Sequence, residues 1–173
     1  VIEKFSIEIM RGDKIAIIGN NGVGKTTLLK LLGDKFKIDS GLIEPGHNID
    51  IGYFPQNHNE ILDEKSDTPM FDWLRGENSR HSDQEIRSAL GKLLFSGDDV
   101  FKSIHQLSGG EKARLILANC TLHPSNTMLF DEPNNHLDLE SVSALASSIK
   151  DFVGTAIVVT HDRTLIESFA NRI

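Results

Sequence analysis

Residues 14–33 constrain the fold of this chain more than any other stretch. Lys14 to Ile18 is apolar and β-branched after its first residue, which reads as a buried strand. It runs into Gly19-Asn20-Asn21-Gly22-Val23-Gly24-Lys25-Thr26, and Thr27 to Leu32 then reads as a helix closed by Gly33. The loop is a full match to the phosphate-binding pattern G-x-x-x-x-G-K-[ST]. Average residue usage would produce that pattern by chance in about 1 chain per 100 of this length. The mechanism needs a strand before the loop and a helix after it. Glycines let backbone N–H groups close around phosphates, and the helix N-terminus adds its positive end. In such a loop Lys25 reaches the β- and γ-phosphates and Thr26 holds Mg²⁺. An ordinary glycine-rich turn is the alternative, and the flanking elements weigh against it.

The rest of the chain alternates strand and helix patterns, which argues for an α/β fold with a mostly parallel sheet. Thr127 to Phe130 and Thr155 to Val159 read as buried strands; Gly109 to Leu122, Leu139 to Lys150 and Arg163 to Asn171 read as helices. Phe5 to Ile9 alternates apolar and polar like a half-buried strand, and Leu42 to Glu44 and Ile49 to Phe54 are short strand candidates around Pro45-Gly46. These suggest a small N-terminal antiparallel β portion. From about His58 to Gln106 no good strand occurs. Thr68-Pro69 reads as a cap followed by proline at the first helical position, opening a short helix Met70 to Leu74. Ser82-Asp83-Gln84-Glu85 has capping-box spacing, and Ile86, Leu90, Leu93 and Leu94 share one helical face before Gly97. The predicted organisation is therefore an α/β core over 1–57 and 108–173, interrupted by an inserted helical subdomain at 58–107.

Composition excludes several classes. With 173 residues, 39% of them apolar and 25% charged, the chain has a globular balance and not a disordered one. Apolar runs such as Ile15 to Ile18 are four residues long, against the roughly 20 that a transmembrane helix needs. One cysteine, Cys120, leaves no intramolecular disulfide and no Cys-based metal cluster, which points to a reducing cytoplasmic setting. The six histidines other than His161 show no metal-ligand spacing. A net charge of −7 argues against a broad basic surface for nucleic acid. Val1-Ile2-Glu3-Lys4 shows no signal-peptide pattern, and both ends read as cut from a longer polypeptide.

Four further sites carry chemistry. Met128 to Glu132 is an apolar strand ending in two carboxylates; beside a phosphate loop, Asp131 would lie near the metal and Glu132 would polarise an attacking water. Leu107-Ser108-Gly109-Gly110-Glu111 opens a helix. Ser108 and Glu111 satisfy a capping box, which leaves the two glycines unexplained; they would let a phosphate approach bare N–H groups. His161, after the strand Thr155 to Val159, reads alone as an incidental surface residue. It could reach a γ-phosphate only if that strand lies beside the one ending at Glu132. Gln56, after Tyr53-Phe54-Pro55, is silent by itself.

Taken together, and in this order, these pieces resemble the ATP-binding-cassette (ABC) nucleotide-binding domain over nearly the whole chain. They look like its Walker A loop (Gly19 to Thr26), Q-loop (Gln56), signature (Leu107 to Glu111), Walker B end (Asp131, Glu132) and switch histidine (His161). The resemblance implies a RecA-like P-loop NTPase core and two cassettes closing head to tail over two ATPs. It implies phosphate binding by Gly19, Asn20, Asn21, Gly22, Val23, Gly24, Lys25, Thr26 and Thr27. Thr26, Gln56 and Asp131 would organise Mg²⁺, Glu132 would be the general base and His161 the γ-phosphate sensor. Ser108, Gly109 and Gly110 would serve the partner's ATP.

Within the superfamily the chain looks like subfamily F, cytosolic ATPases with two cassettes on one chain that act on ribosomes. That likeness rests on Asp131 to Asp138, on Glu111, and on Val159 to Arg163. Transporter cassettes more often carry Gln at the Glu111 position and a Ser-Ala-Leu-Asp-like run at Asn135 to Asp138. Asn134 stands where the family usually has Thr, and Thr160 where it often has Ser. No long arm insertion lies between Gln56 and Leu107, so the chain resembles a second cassette. The family places its adenine-stacking aromatic upstream of Val1. A ribosome-associated translation factor is the function implied, with a second cassette and the ribosome or its RNA as partners and no direct membrane contact. The ATPase subunit of a membrane transporter is the alternative. Intact Glu132 and His161 weigh against a third class, a non-hydrolytic regulatory cassette.

Overall fold

The computed structural model describes every residue of the chain except Val1, Lys4 and His136. His136, part of the run that carries the subfamily likeness, therefore lies outside the described residues. In chain order the elements are β1 (Lys14–Ile17), α1 (Lys25–Leu32), β2 (Ile51–Phe54), α2 (Met70–Glu77), α3 (Asp83–Lys92), α4 (Gly109–Leu122), β3 (Thr127–Asp131), α5 (Leu139–Asp151), β4 (Thr155–Val159) and α6 (Arg163–Phe169). The chain divides into two compact units. The first comprises residues 1–54, 125–133 and 146–173; the second comprises 55–124 and 134–145.

The first unit is built on a four-stranded sheet in the order β1-β4-β3-β2. Every ladder in it is parallel, with Ile15 opposite Ile157, Leu129 opposite Ile157 and Tyr53 opposite Leu129. The β-branched and apolar residues of β3 and β4 are buried almost throughout, as strands covered on both faces require. Ile15, Leu29, Leu129, Ile157 and Val159 form one core cluster, joining α1 to the sheet, and Ile9 and Tyr53 pack against it. Two glycines in this unit meet close neighbours. A Cβ on Gly52 would collide with the Met128 sulfur, and one on Gly154 with the Asn126 carbonyl and the Phe152 ring.

The expected antiparallel portion does not form among the described residues. Residues 5–9 and 42–44 carry no ladder, and Ile51–Phe54 pairs parallel with β3. Phe5, Ile7 and Leu42 are exposed by 50%, 44% and 75%. Alternation marks a strand only where a neighbour supplies backbone partners, and among the described residues none forms a ladder with these.

The second unit is helical. Leu74, Ile86, Leu90, Leu115 and Ile116 are fully buried where α2, α3 and α4 pack together. A buried side-chain hydrogen bond crosses this core, with Asn78 Nδ2 donating to Asn119 Oδ1 at 2.7 Å. The capping box at Ser82 and Glu85 is present. Two local expectations fail. Pro69 itself is the N-cap of α2, so Thr68 caps nothing there. Leu94 lies past the end of α3 at φ 65° and is 40% exposed, whereas Leu93 is buried. The unit also reaches beyond 107: α4 groups with it through its packing on α2 and α3, and residues 134–145 group with it as well, with Ser141 bonded to Arg114 of α4.

Candidate functional site

The residues between β1 and α1 form an open loop with positive φ at Gly22 (80°) and Gly24 (104°), angles that an L side chain rarely adopts. Gly24 is the N-cap of α1, and no side chain caps that helix end. Its first-turn N–H groups therefore have no side-chain acceptor, which suits an anion. Lys25 opens the helix and is buried. Its Nζ folds back to donate to Gly19 O at 2.7 Å and Asn20 O at 3.0 Å, holding an ammonium over the loop.

Thr26, one residue on, meets the tip of β3. Its hydroxyl donates to Asp131 Oδ1 at 3.1 Å, and the Tyr53 hydroxyl reaches Asp131 Oδ2 at 3.4 Å. Asp131 is fully buried. Burial pushes its carboxyl above the ordinary aspartate value and the adjacent Glu132 adds to this, against the hydrogen bonds from Thr26 and Tyr53. Two oxygens 3.1 Å apart match the separation of about 3 Å between neighbouring ligands of a Mg²⁺ ion with Mg–O distances near 2.1 Å. The donor set thus fits that ion.

Glu132 follows at φ 49°, a left-handed conformation for a residue bearing a Cβ. Its backbone N–H donates to Val159 O at 2.9 Å, tying the end of β3 to that of β4. The strand adjacency on which His161 depended holds: β3 and β4 are neighbours, and His161 Nε2 lies 3.8 Å from Glu132 Oε1. Lys25, Thr26, Asp131, Glu132 and His161 all belong to the first unit. Gln56 is exposed and belongs to the second.

Ser108, Gly109 and Gly110 also belong to the second unit, at the start of α4. The capping box is complete: Ser108 Oγ accepts from Glu111 N at 3.2 Å, and Glu111 Oε2 accepts from Ser108 N at 2.8 Å. These residues line an open cleft of about 380 Å³ together with Arg114, Asp138 and Ser141. Sequence reasoning missed those last three. Arg114 Nη1 donates to Ser141 Oγ at 3.1 Å, its guanidinium lies 5.2 Å from the Phe95 ring centre, and its Nε is buried without a partner. Asp138 accepts from Ser141 N at 2.8 Å. The available signal was spacing: Arg114 is four residues after Gly110, on the same helical face.

The ABC transporter family model matches residues 2–135. The chain is 44% identical to YdiF of Bacillus subtilis over 100% of its own length and 26% of that protein. It is 38% identical to ABC transporter F family member 5 of Arabidopsis thaliana over 100% of its own length and 25% of that protein. A solved complex of the archaeal ribosomal stalk protein aP1 and the archaeal ribosome recycling factor aABCE1 contains a chain matching with a TM-score of 0.76 at 28% identity. That match covers 94% of this chain and 31% of that one. The chain thus spans about a quarter of the length of these curated relatives. With a family match over most of its length and an α/β parallel-sheet core, the chain belongs to the ABC transporter family, whose cassettes are ATPases.

Proposed function

We propose that this chain is an ATP-binding and ATP-hydrolysing cassette of an ABC-F type protein that acts on ribosomes in the cytoplasm and closes against a second ABC cassette. One observation carries the nucleotide reading: the hydrogen bond from Thr26 to the buried Asp131, which joins the glycine loop to the strand tip bearing Glu132. In this reading Gly19 to Thr27 wrap the phosphates, and Lys25 turns its ammonium from Gly19 O and Asn20 O to the β- and γ-oxygens. Thr26 and Asp131 would hold Mg²⁺ through their oxygens. A Mg²⁺ ion held there would supply positive charge against the triphosphate. Glu132 accepts the proton of the water that attacks the γ-phosphorus, while the bond to ADP breaks. His161, beside Glu132, meets the γ-phosphate. Ser108, Gly109 and Gly110 present α4 to the ATP of the second cassette.

The ribosomal part is supported by the similarity to the F family member of Arabidopsis and to the structure containing a ribosome recycling factor. Among the described residues no helix is long and apolar enough to cross a membrane.

The test has two arms. Lys25→Ala removes a charge contact worth several kcal/mol, so ATP affinity should fall at least ~tenfold in a calorimetric titration. Unchanged affinity refutes the nucleotide site. In the full-length parent, Glu132→Gln should keep ATP bound and co-sediment with ribosomes. Trapped ATP without ribosome association overturns the ribosomal role and leaves the cassette standing.

A further inference from the structure

The start of α4 contains an electrostatic contradiction. Glu111 is the third residue of that helix, and its carboxylate lines the same cleft as Ser108, Gly109 and Gly110. Its side chain is only 18% exposed. Burial acts to raise its pKa, but the hydrogen bonds from Ser108 and Lys102 outweigh this and hold it below the ordinary glutamate value, so it is ionised at neutral pH. A fixed negative charge there opposes an incoming triphosphate, and a neutral glutamine would cap the helix without that opposition.

The structure pairs this charge directly. Lys102 Nζ lies 3.0 Å from Glu111 Oε1, the oxygen that the capping box leaves over. Asp99 Oδ1 lies 2.8 Å from the same ammonium, so Lys102 is shared by two carboxylates, of which Glu111 is the one that lines the cleft. Arg114 also lines the cleft, but its guanidinium is engaged with Ser141 and lies over Phe95. Lys102 is thus the cation in contact with the capping carboxylate.

We propose that Lys102 is a positioning residue: it offsets the Glu111 charge within the cleft so that the glycine-rich start of α4 can receive the triphosphate held by a second cassette. This rests on the cassette reading above. Lys102 touches no nucleotide itself; it acts through Glu111. The cost of losing it must therefore depend on whether position 111 carries a charge.

That dependence is the experiment, a double-mutant cycle in the full-length parent protein with steady-state ATP turnover as the readout. Lys102→Met should lower kcat/KM for ATP by about tenfold, the scale of exposing one charge to a polyanion in a partly closed site. It should leave ATP affinity at this cassette's own glycine loop unchanged. In a Glu111→Gln background the same Lys102→Met change should cost less than about threefold, because no capping charge in the cleft remains to be offset. An equal loss in both backgrounds assigns Lys102 a merely structural role and overturns the proposal, as does wild-type turnover by Lys102→Met. Lys25→Ala is measured alongside. If that variant binds ATP normally, the cassette reading fails instead, so the two failures are distinguishable.

Discussion

Replacing Glu132 with glycine should stabilise the nucleotide-free chain and at the same time stop hydrolysis. Glu132 sits at φ 49°, where a Cβ crowds the backbone at a cost of roughly 1–2 kcal/mol. Glycine escapes that cost and keeps the backbone N–H bond to Val159 O at 2.9 Å. Against the gain stands the greater freedom of glycine in the unfolded chain, about 0.5–1 kcal/mol. The contact with His161 at 3.8 Å adds little, since the histidine side chain is 46% exposed. The balance is a gain of about 0.5–1 kcal/mol, or roughly 1–4 °C in Tm for a chain of this size. Differential scanning calorimetry of wild type, Glu132→Gly and Glu132→Ala checks it. Alanine loses the side chain but keeps the strained backbone, so it should melt at or below wild type while glycine melts above. Both should lose turnover on the order of 10²-fold, the scale of removing a general base. A glycine variant that melts no higher than the alanine variant refutes the argument that strain is stored at this position.

Two further outcomes follow from the same geometry. Because the folded chain raises the Asp131 pKa, it holds that proton more tightly than the unfolded chain does. Stability without nucleotide therefore falls as pH climbs from the ordinary aspartate value through the raised one. Asp131→Asn should accordingly stabilise the nucleotide-free chain against urea at neutral pH, with the gap closing on acidification, and should lose the extra stability conferred by Mg²⁺ and ATP; a gap constant with pH would contradict this. Gly154→Ala should destabilise by about 1–3 kcal/mol or more, because the new Cβ lies 2.6 Å from the Phe152 ring and against the Asn126 carbonyl; an unchanged urea midpoint refutes that packing argument.

What could be read from residue order was local. The glycine loop, the caps at Ser82 and Ser108, and the buried strands Thr127–Asp131 and Thr155–Val159 each depend on neighbours within a few positions. The closeness of Glu132 and His161 followed once β3 and β4 proved to be neighbours, because strand ends in a parallel sheet collect on one side. The misreadings are non-local. Phe5 to Ile9 has the alternation of a strand but no described ladder partner, and pattern cannot reveal a missing partner. The φ of Glu132 carries no residue-type signal, since glutamate is not a left-handed former. Lys102 bonds Glu111 nine positions away through a loop, and Arg114 meets Ser141 across two helices. Neither separation has a period that a sequence window can detect.

The sheet order also sets the sequence of events as the chain is made. β1, the strand that launches the glycine loop, has β4 as its ladder partner, with Lys14 opposite Ala156, 142 positions further along the chain. β2 likewise waits for β3. During synthesis the phosphate loop therefore leaves its strand unpaired while the helices of residues 55–124 are already complete and contiguous. A nascent chain arrested before β4 can bury its helical layer but has no scaffold for Lys25 or Thr26. Nucleotide can then stabilise this cassette only once β4 has been made, which makes binding a late checkpoint on the completed sheet and not an aid to early folding.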